Sequence, residues 1–157
     1  MFSLVFLFIT VLIFISEAMA TPFHECDDGP PPISVDVEGC DKEPCNFIQG
    51  GEGVMVVSFV MPRDSASLYP KVTVSIGWFK MVIPLPENKL DGCKFLLNDG
   101  QCPLTKGELT TYKLTMPVTK LPYISEVEIK FSLMGKDDEV LVCFKGAAKL
   151  VKPDAWR

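Results

Sequence analysis

Lys71-Val72-Thr73-Val74-Ser75-Ile76 and Glu126-Val127-Glu128-Ile129-Lys130-Phe131 each alternate a polar with an apolar residue. Successive side chains of a strand point to opposite faces, so each stretch predicts a strand with one wet and one buried face. Ile33-Ser34-Val35-Asp36-Val37-Glu38 repeats the pattern near the start of the chain. Working outward, Gly53–Pro62, Tyr69–Pro86, Glu108–Val118, Ser125–Met134 and Glu139–Val151 are rich in Val, Ile, Thr, Phe and Tyr. Clusters of Pro, Gly, Asp and Asn separate them, as turns separate strands. The chain beyond its first twenty residues has no helical period, internal repeat or low-complexity tract. Roughly seven antiparallel strands predict an all-β fold, an immunoglobulin-like β-sandwich of two antiparallel sheets. The Cys–Trp–Cys spacing of true immunoglobulin domains is absent, because Trp78 does not sit between suitably placed cysteines.

The 157 residues include 15 Lys+Arg, 20 Asp+Glu, one His and six Cys. That length suits one domain with a real core. A net charge of −5 argues against a nucleic-acid partner, which would call for a basic stripe. With His24 alone, no Ser/His/Asp or Cys/His set exists, and the chain does not read as an enzyme. Asp27-Asp28 and Asp137-Asp138 stand beside Gly29 and Gly135, in turn contexts that predict solvated loops rather than an acid/base pair. No cofactor is expected.

Residues 1–20 read as an address. Phe2 to Ile15 carries no charge, and Ala18-Met19-Ala20 is a small-x-small cleavage site. The run is shorter than the ~20 residues a membrane-spanning helix needs. Cleavage after Ala20 is expected, leaving residues 21–157 as one secreted domain, or one delivered to a lysosomal or endosomal lumen.

All six cysteines, Cys26, Cys40, Cys45, Cys93, Cys102 and Cys143, follow that address. An even set behind an export signal predicts three disulfides. No CxxC pair is present, so a zinc site is not expected. Spacing alone leaves the pairing open. Turn chemistry favours closing Cys40 onto Cys45 across Asp41–Pro44, and Cys93 onto Cys102 across Asn98-Asp99-Gly100, which would leave Cys26 for Cys143.

The faces expected to point inward carry large, flexible groups: Met55, Val57, Phe59, Met81, Tyr112, Met116, Ile129 and Phe131, with Val74 and Ile76 on the alternating strand. Such a set suits two sheets splayed around an apolar cavity, although periodicity reads the same for a filled core. Trp78-Phe79 and Met81 to Pro86 form the most apolar stretch after the address. Alternation fails there, and the stretch reads equally as core or as a rim touching a membrane or receptor.

Cys40-x4-Cys45, Asp91-Gly92-Cys93, Cys102-Pro103-Leu104-Thr105-Lys106-Gly107 and Met134 to Asp138 before Cys143 stand in an order that resembles the ML (lipid-recognition) domain family. Glu43-Pro44-Cys45 followed by Gly50, and Pro84-Leu85-Pro86-Glu87, are similar to elements of that family. The resemblance runs from about Phe23 to Val151. It implies a sandwich with a hydrophobic pocket between its sheets and the pairings Cys26–Cys143, Cys40–Cys45 and Cys93–Cys102. It also implies a pocket mouth at Ile83, Val118 and the Pro122/Tyr123 pair. Ile83 and Pro122-Tyr123 depart from the mammalian sterol-transfer pattern, whereas Val118 keeps it.

The function expected on these grounds is a lipid carrier holding a sterol or fatty acid in the sandwich, as a monomer with transient membrane or receptor contact. A recognition protein for bacterial glycolipid and a chemosensory semiochemical carrier are alternatives on the same fold. Lys80, Lys120 or Tyr123 would meet a polar head at the mouth. Burying sixteen methylenes gains roughly 12 kcal/mol before ordering costs.

Overall fold

A computed structural model of the chain describes residues 20–120 and 126–153. The apolar run before Ala20 lies outside the described residues, as do Pro122 and Tyr123. Among these residues nine strands form two sheets: β1 (His24–Glu25), β2 (Ser34–Val37), β3 (Cys45–Ile48), β4 (Glu52–Val60), β5 (Tyr69–Ile76), β6 (Phe79–Ile83), β7 (Leu109–Pro117), β8 (Glu126–Met134) and β9 (Val140–Val151). The larger sheet runs β1-β9-β8-β5-β6, with β3 also joined to β9, and the smaller runs β2-β4-β7. Pairing is antiparallel throughout except that β3 lies parallel to β9. The exception follows from connectivity: the chain leaves β2 in one sheet, turns through Cys40–Cys45, and enters the other beside β9. Helical structure among the described residues is limited to three 3-10 turns at Glu87–Lys89, Gly92–Phe95 and Lys136–Asp138.

The stretch where alternation fails, Tyr69–Pro86, is a hairpin. β5 ends at Ile76, Gly77-Trp78 makes the turn, and Ile76 pairs with Phe79. Gly77 has φ +58°, the positive value a two-residue hairpin turn of this kind asks of its first central residue.

All three disulfides form, as Cys26–Cys143, Cys40–Cys45 and Cys93–Cys102. At one end of the sandwich the two inner faces meet without a gap. Val57, Phe59, Met61, Leu68, Leu104, Tyr112, Leu133 and Leu141 are fully buried there. Tyr112 stacks on Phe131 at 5.9 Å, Phe131 tilts against Phe144 at 5.6 Å, and Phe23 meets Phe144 edge-on at 6.0 Å. Rings in such offset and edge contacts add to their area burial.

The Tyr112 hydroxyl in this closed half has no hydrogen-bond partner among the described residues, and neither has Thr110 Oγ1. Burial pushes the Tyr112 phenol pKa above its ordinary value. An unpaired buried hydroxyl costs about 1–3 kcal/mol of desolvation. Tyr112→Phe removes that oxygen and keeps the stacked ring. Urea unfolding should therefore find the variant more stable than the wild type by about 1 kcal/mol. A destabilised variant would mean that the hydroxyl is paired in solution.

Candidate ligand cavity

Beyond the aromatic layer the two sheets part. The larger sheet supplies three inward rows read across its strands. The deepest is Ile83, Val72, Phe131 and Phe144, the middle one Met81, Val74, Ile129 and Gly146, and the outer one Ile76, Val127 and Ala148. The smaller sheet faces them with Val35, Val37, Gly53 and Met55, and with Met116 and Val118 at and just past the end of β7. Between the sheets lies a cavity of about 170 Å3. From the deepest to the outer row is four residues of strand, about 13 Å.

The wall is almost wholly apolar. Thr21, one of its few polar residues, spends its hydroxyl on the backbone, donating to the Cys40 carbonyl at 2.7 Å and accepting from Val37 N–H at 2.9 Å. Small residues open the space: Gly53, Gly146 and Ala148 occupy wall positions where a large side chain would reach across. Gly53 also accommodates a close neighbour, since a Cβ there would come within 3.2 Å of the Phe47 ring. The β9 wall is pinned by Glu43, whose carboxylate accepts from Ala147 N–H at 2.8 Å and meets His24 Nε2 at 2.8 Å.

Met55, Val74, Ile76, Met81, Met116, Val118, Ile129 and Phe131, expected to point inward or to form the mouth, lie on this wall. Ile83 lines it too, but not at the mouth as expected: its pairing with Val72 puts it in the deepest row, level with Phe131. Val57, Phe59 and Tyr112 do not. They sit further along β4 and β7, Tyr112 within the aromatic layer itself, where the sheets have already closed, so they are core. Tyr123 is outside the described residues. Val35, Val37, Phe47, Val72, Val127, Phe144 and Leu150 line the cavity without having been singled out by the sequence reading. The inward glycines and alanines of β4 and β9 were the signal that could have found this end, because they leave volume unfilled.

The charged groups considered above lie outside the cavity. Lys80 and Lys120 are exposed, and the Lys120 stem passes over Gly50. Asp28 pairs with Lys130, and that hydrogen bond holds its carboxyl below the usual range. Cys26, Asp28 and Cys143 bring three potential metal-ligand atoms together. Two of these are the sulfurs of one disulfide, which lack the thiolate a metal would bind. Asp137 and Asp138 are exposed and adopt positive φ in the 3-10 turn before β9.

A family model described as the ML domain matches residues 20–150. The chain belongs to the ML domain family. This ML domain is 29% identical over 147 residues to an ecdysteroid-regulated 16 kDa protein of Manduca sexta, a match covering 91% of the chain and 97% of the relative. It is 28% identical over 131 residues to the mite group 2 allergen Pso o 2 of Psoroptes ovis, covering 80% and 85%. Its fold is similar to that of a Niemann-Pick type C2 protein from Japanese carpenter ant. That match has a TM-score of 0.70 and 24% identity, and it covers 83% of this chain and 99% of that one. No helix among the described residues of the ML domain is long and apolar enough to cross a membrane.

Proposed function

We propose that this ML domain is an exported lipid carrier, cleaved after Ala20, that holds a fatty acid or sterol between its sheets. The observation that carries the reading is the apolar cavity above the aromatic layer, with the Thr21 hydroxyl on its wall already satisfied. A ligand there gains by leaving water and finds no free hydrogen-bonding group at depth. Its polar end therefore stays at the mouth near Val118, Thr119 and Ile76, and one hydrocarbon body points toward Phe131.

The resting volume is near that of an apolar cavity which takes up benzene, about 150 Å3. A sixteen-carbon chain or a sterol must widen it. Met55, Met81 and Met116 on the wall are unbranched and re-pack at low cost, which suits an expandable site and broad selectivity. Carriage of this kind entails transient contact with the membrane or receptor that supplies or receives the lipid.

Native mass spectrometry of the secreted, delipidated protein tests the reading. The protein is offered cholesterol, plant sterols and C16–C18 fatty acids together. A one-to-one adduct is expected, and its mass names the preferred class. A folded protein with three disulfides and no adduct would refute carriage.

A further inference from the structure

We infer that the edge of β6 pairs antiparallel with the β6 edge of a second copy of this chain, joining the two larger sheets across a two-fold axis at Met81. The protein is then a dimer instead of the monomer expected above, and the inference does not depend on the carrier reading. It starts from where backbone groups point in the larger sheet. Ala147 N–H goes to Glu43 and Cys143 N–H to the Pro30 carbonyl, both away from β8. Antiparallel partners alternate between bonded and non-bonded pairs, so Gly146 and Ala148 are the residues that bond β8, at Ile129 and Val127. The alternation carries across the sheet. Glu128 and Lys130 bond Ser75 and Thr73, and Val74 and Ile76 bond Met81 and Phe79. The N–H and C=O groups of Lys80 and Val82 therefore face outward, and no hydrogen bond among the described residues reaches them.

The other edges are blunted. On β2, the Val35 carbonyl accepts from Thr21 N–H, and Val37 N–H donates to Thr21 Oγ1. On β7, the Thr111 carbonyl accepts from Leu97 N–H, and Tyr112 bridges to Leu96. β1 and β3, at the far side of the larger sheet, have two and four residues. β6 is an unbroken Phe79-Lys80-Met81-Val82-Ile83 without proline or acid, and Phe79, Met81 and Val82 are 50%, 41% and 57% exposed. An apolar edge of this kind is a template for another strand. Self-complementarity names that strand. A two-fold axis at Met81 sets Lys80 of each copy opposite Val82 of the other, so the outward N–H and C=O groups of both edges satisfy one another. The lysines are not directly opposed, and each stem lies over a valine. An axis at Lys80 would oppose the two lysines, and one at Val82 would set Lys80 against Pro84, which has no N–H. With the axis at Met81, Phe79 stands opposite Ile83, and the Trp78 turn, 94% exposed in one copy, comes level with Pro84 of the other. Met81 lines the cavity, so each copy places a methionine beside the other's cavity, and the two mouths open toward opposite ends of the joined sheet.

Sedimentation equilibrium and amide hydrogen exchange of the secreted protein test the pairing. Five paired residues make a small interface, so a dimer with a Kd of about 10–100 µM is expected. As concentration rises through that range, the Lys80 and Val82 amides should exchange more slowly, whereas the Met81 amide, already bonded to β5, should not change. Val82→Lys puts lysines directly opposite one another and should raise the Kd at least about tenfold. Adding Lys80→Glu to that variant turns each opposition into an ion pair and should return the Kd to within about threefold of wild type. A dimer that Val82→Lys leaves intact, or that the second change fails to restore, would overturn the pairing. A monomer at every concentration up to about 1 mM would overturn it too. That includes a monomer whose edge amides slow only when phospholipid vesicles are added, since the edge would then be a lipid contact. Circular dichroism checks that the variants fold, and if one does not, the exchange pattern of the wild type decides alone. None of these measurements involves a bound lipid, so the carrier reading stands or falls separately.

Discussion

Replacing Cys26 and Cys143 together by alanine should lower folding stability by about 4–5 kcal/mol. The bond joins residues 117 apart, against 5 for Cys40–Cys45 and 9 for Cys93–Cys102. In the chain-entropy account, the cross-link restricts the unfolded chain more as the loop lengthens. Its position adds to that effect, because it ties the segment after β1 to β9, and Cys143 is fully buried. Alanine leaves no hydroxyl in that buried place. Domains are commonly stable by about 5–15 kcal/mol, so the loss would remove a large share and should also cut the secreted yield. Non-reducing urea unfolding measures it. A double variant within about 1 kcal/mol of wild type would show that the packing of β9, not the bond, holds the N-terminal segment.

Ile129→Glu should abolish lipid binding, with an affinity loss of at least about a hundredfold, or about 2.7 kcal/mol. Ile129 sits mid-wall between Val74 on β5 and Gly146 on β9, and the described cavity-lining residues include no Lys, Arg or His. With the cavity empty, water can hydrate the new carboxylate. A bound hydrocarbon would have to strip that water, and no partner compensates the charge. Protonation removes the charge, so the sign of the pH effect is fixed: affinity should partly return as pH falls below the carboxyl's pKa, which the apolar wall raises. Titration with a fluorescent fatty acid at neutral and acidic pH, with circular dichroism confirming the fold, reads both effects. Wild-type affinity in the variant would place the ligand elsewhere.

The strands were legible because their alternation is a direct image of burial. Lys71–Ile76 and Glu126–Phe131 became β5 and β8, each with one face turned to the interior. The short strands β1 and β3 left no such image. His24–Glu25 is too brief to alternate, and Cys45–Ile48 owes its place to the disulfide turn and the Glu43 anchor. The cavity was only half legible. Phe59 and Ile129 both read as inward, and both are inward, yet one packs and the other faces open space. Alternation records which side of a sheet a residue occupies. It does not record how far away the opposite sheet lies. That distance depends on small residues such as Gly53, Gly146 and Ala148, whose effect appears only once the two sheets are set face to face.

β9 comes last among the described strands, and it pairs with β1, β3 and β8. During synthesis, then, β1 and β3 find their partner in the larger sheet only once β9 has emerged. β2, β4, β5, β6 and β7 can find their neighbours early, and the Cys40–Cys45 and Cys93–Cys102 bonds can close within their own turns. Strand pairings so distant in sequence form slowly. The nascent chain therefore waits with β1 and β3 unpaired and one edge of β8 open until residues 140–151 arrive. A truncation that removes only those residues should leave an open, aggregation-prone intermediate rather than a smaller sandwich.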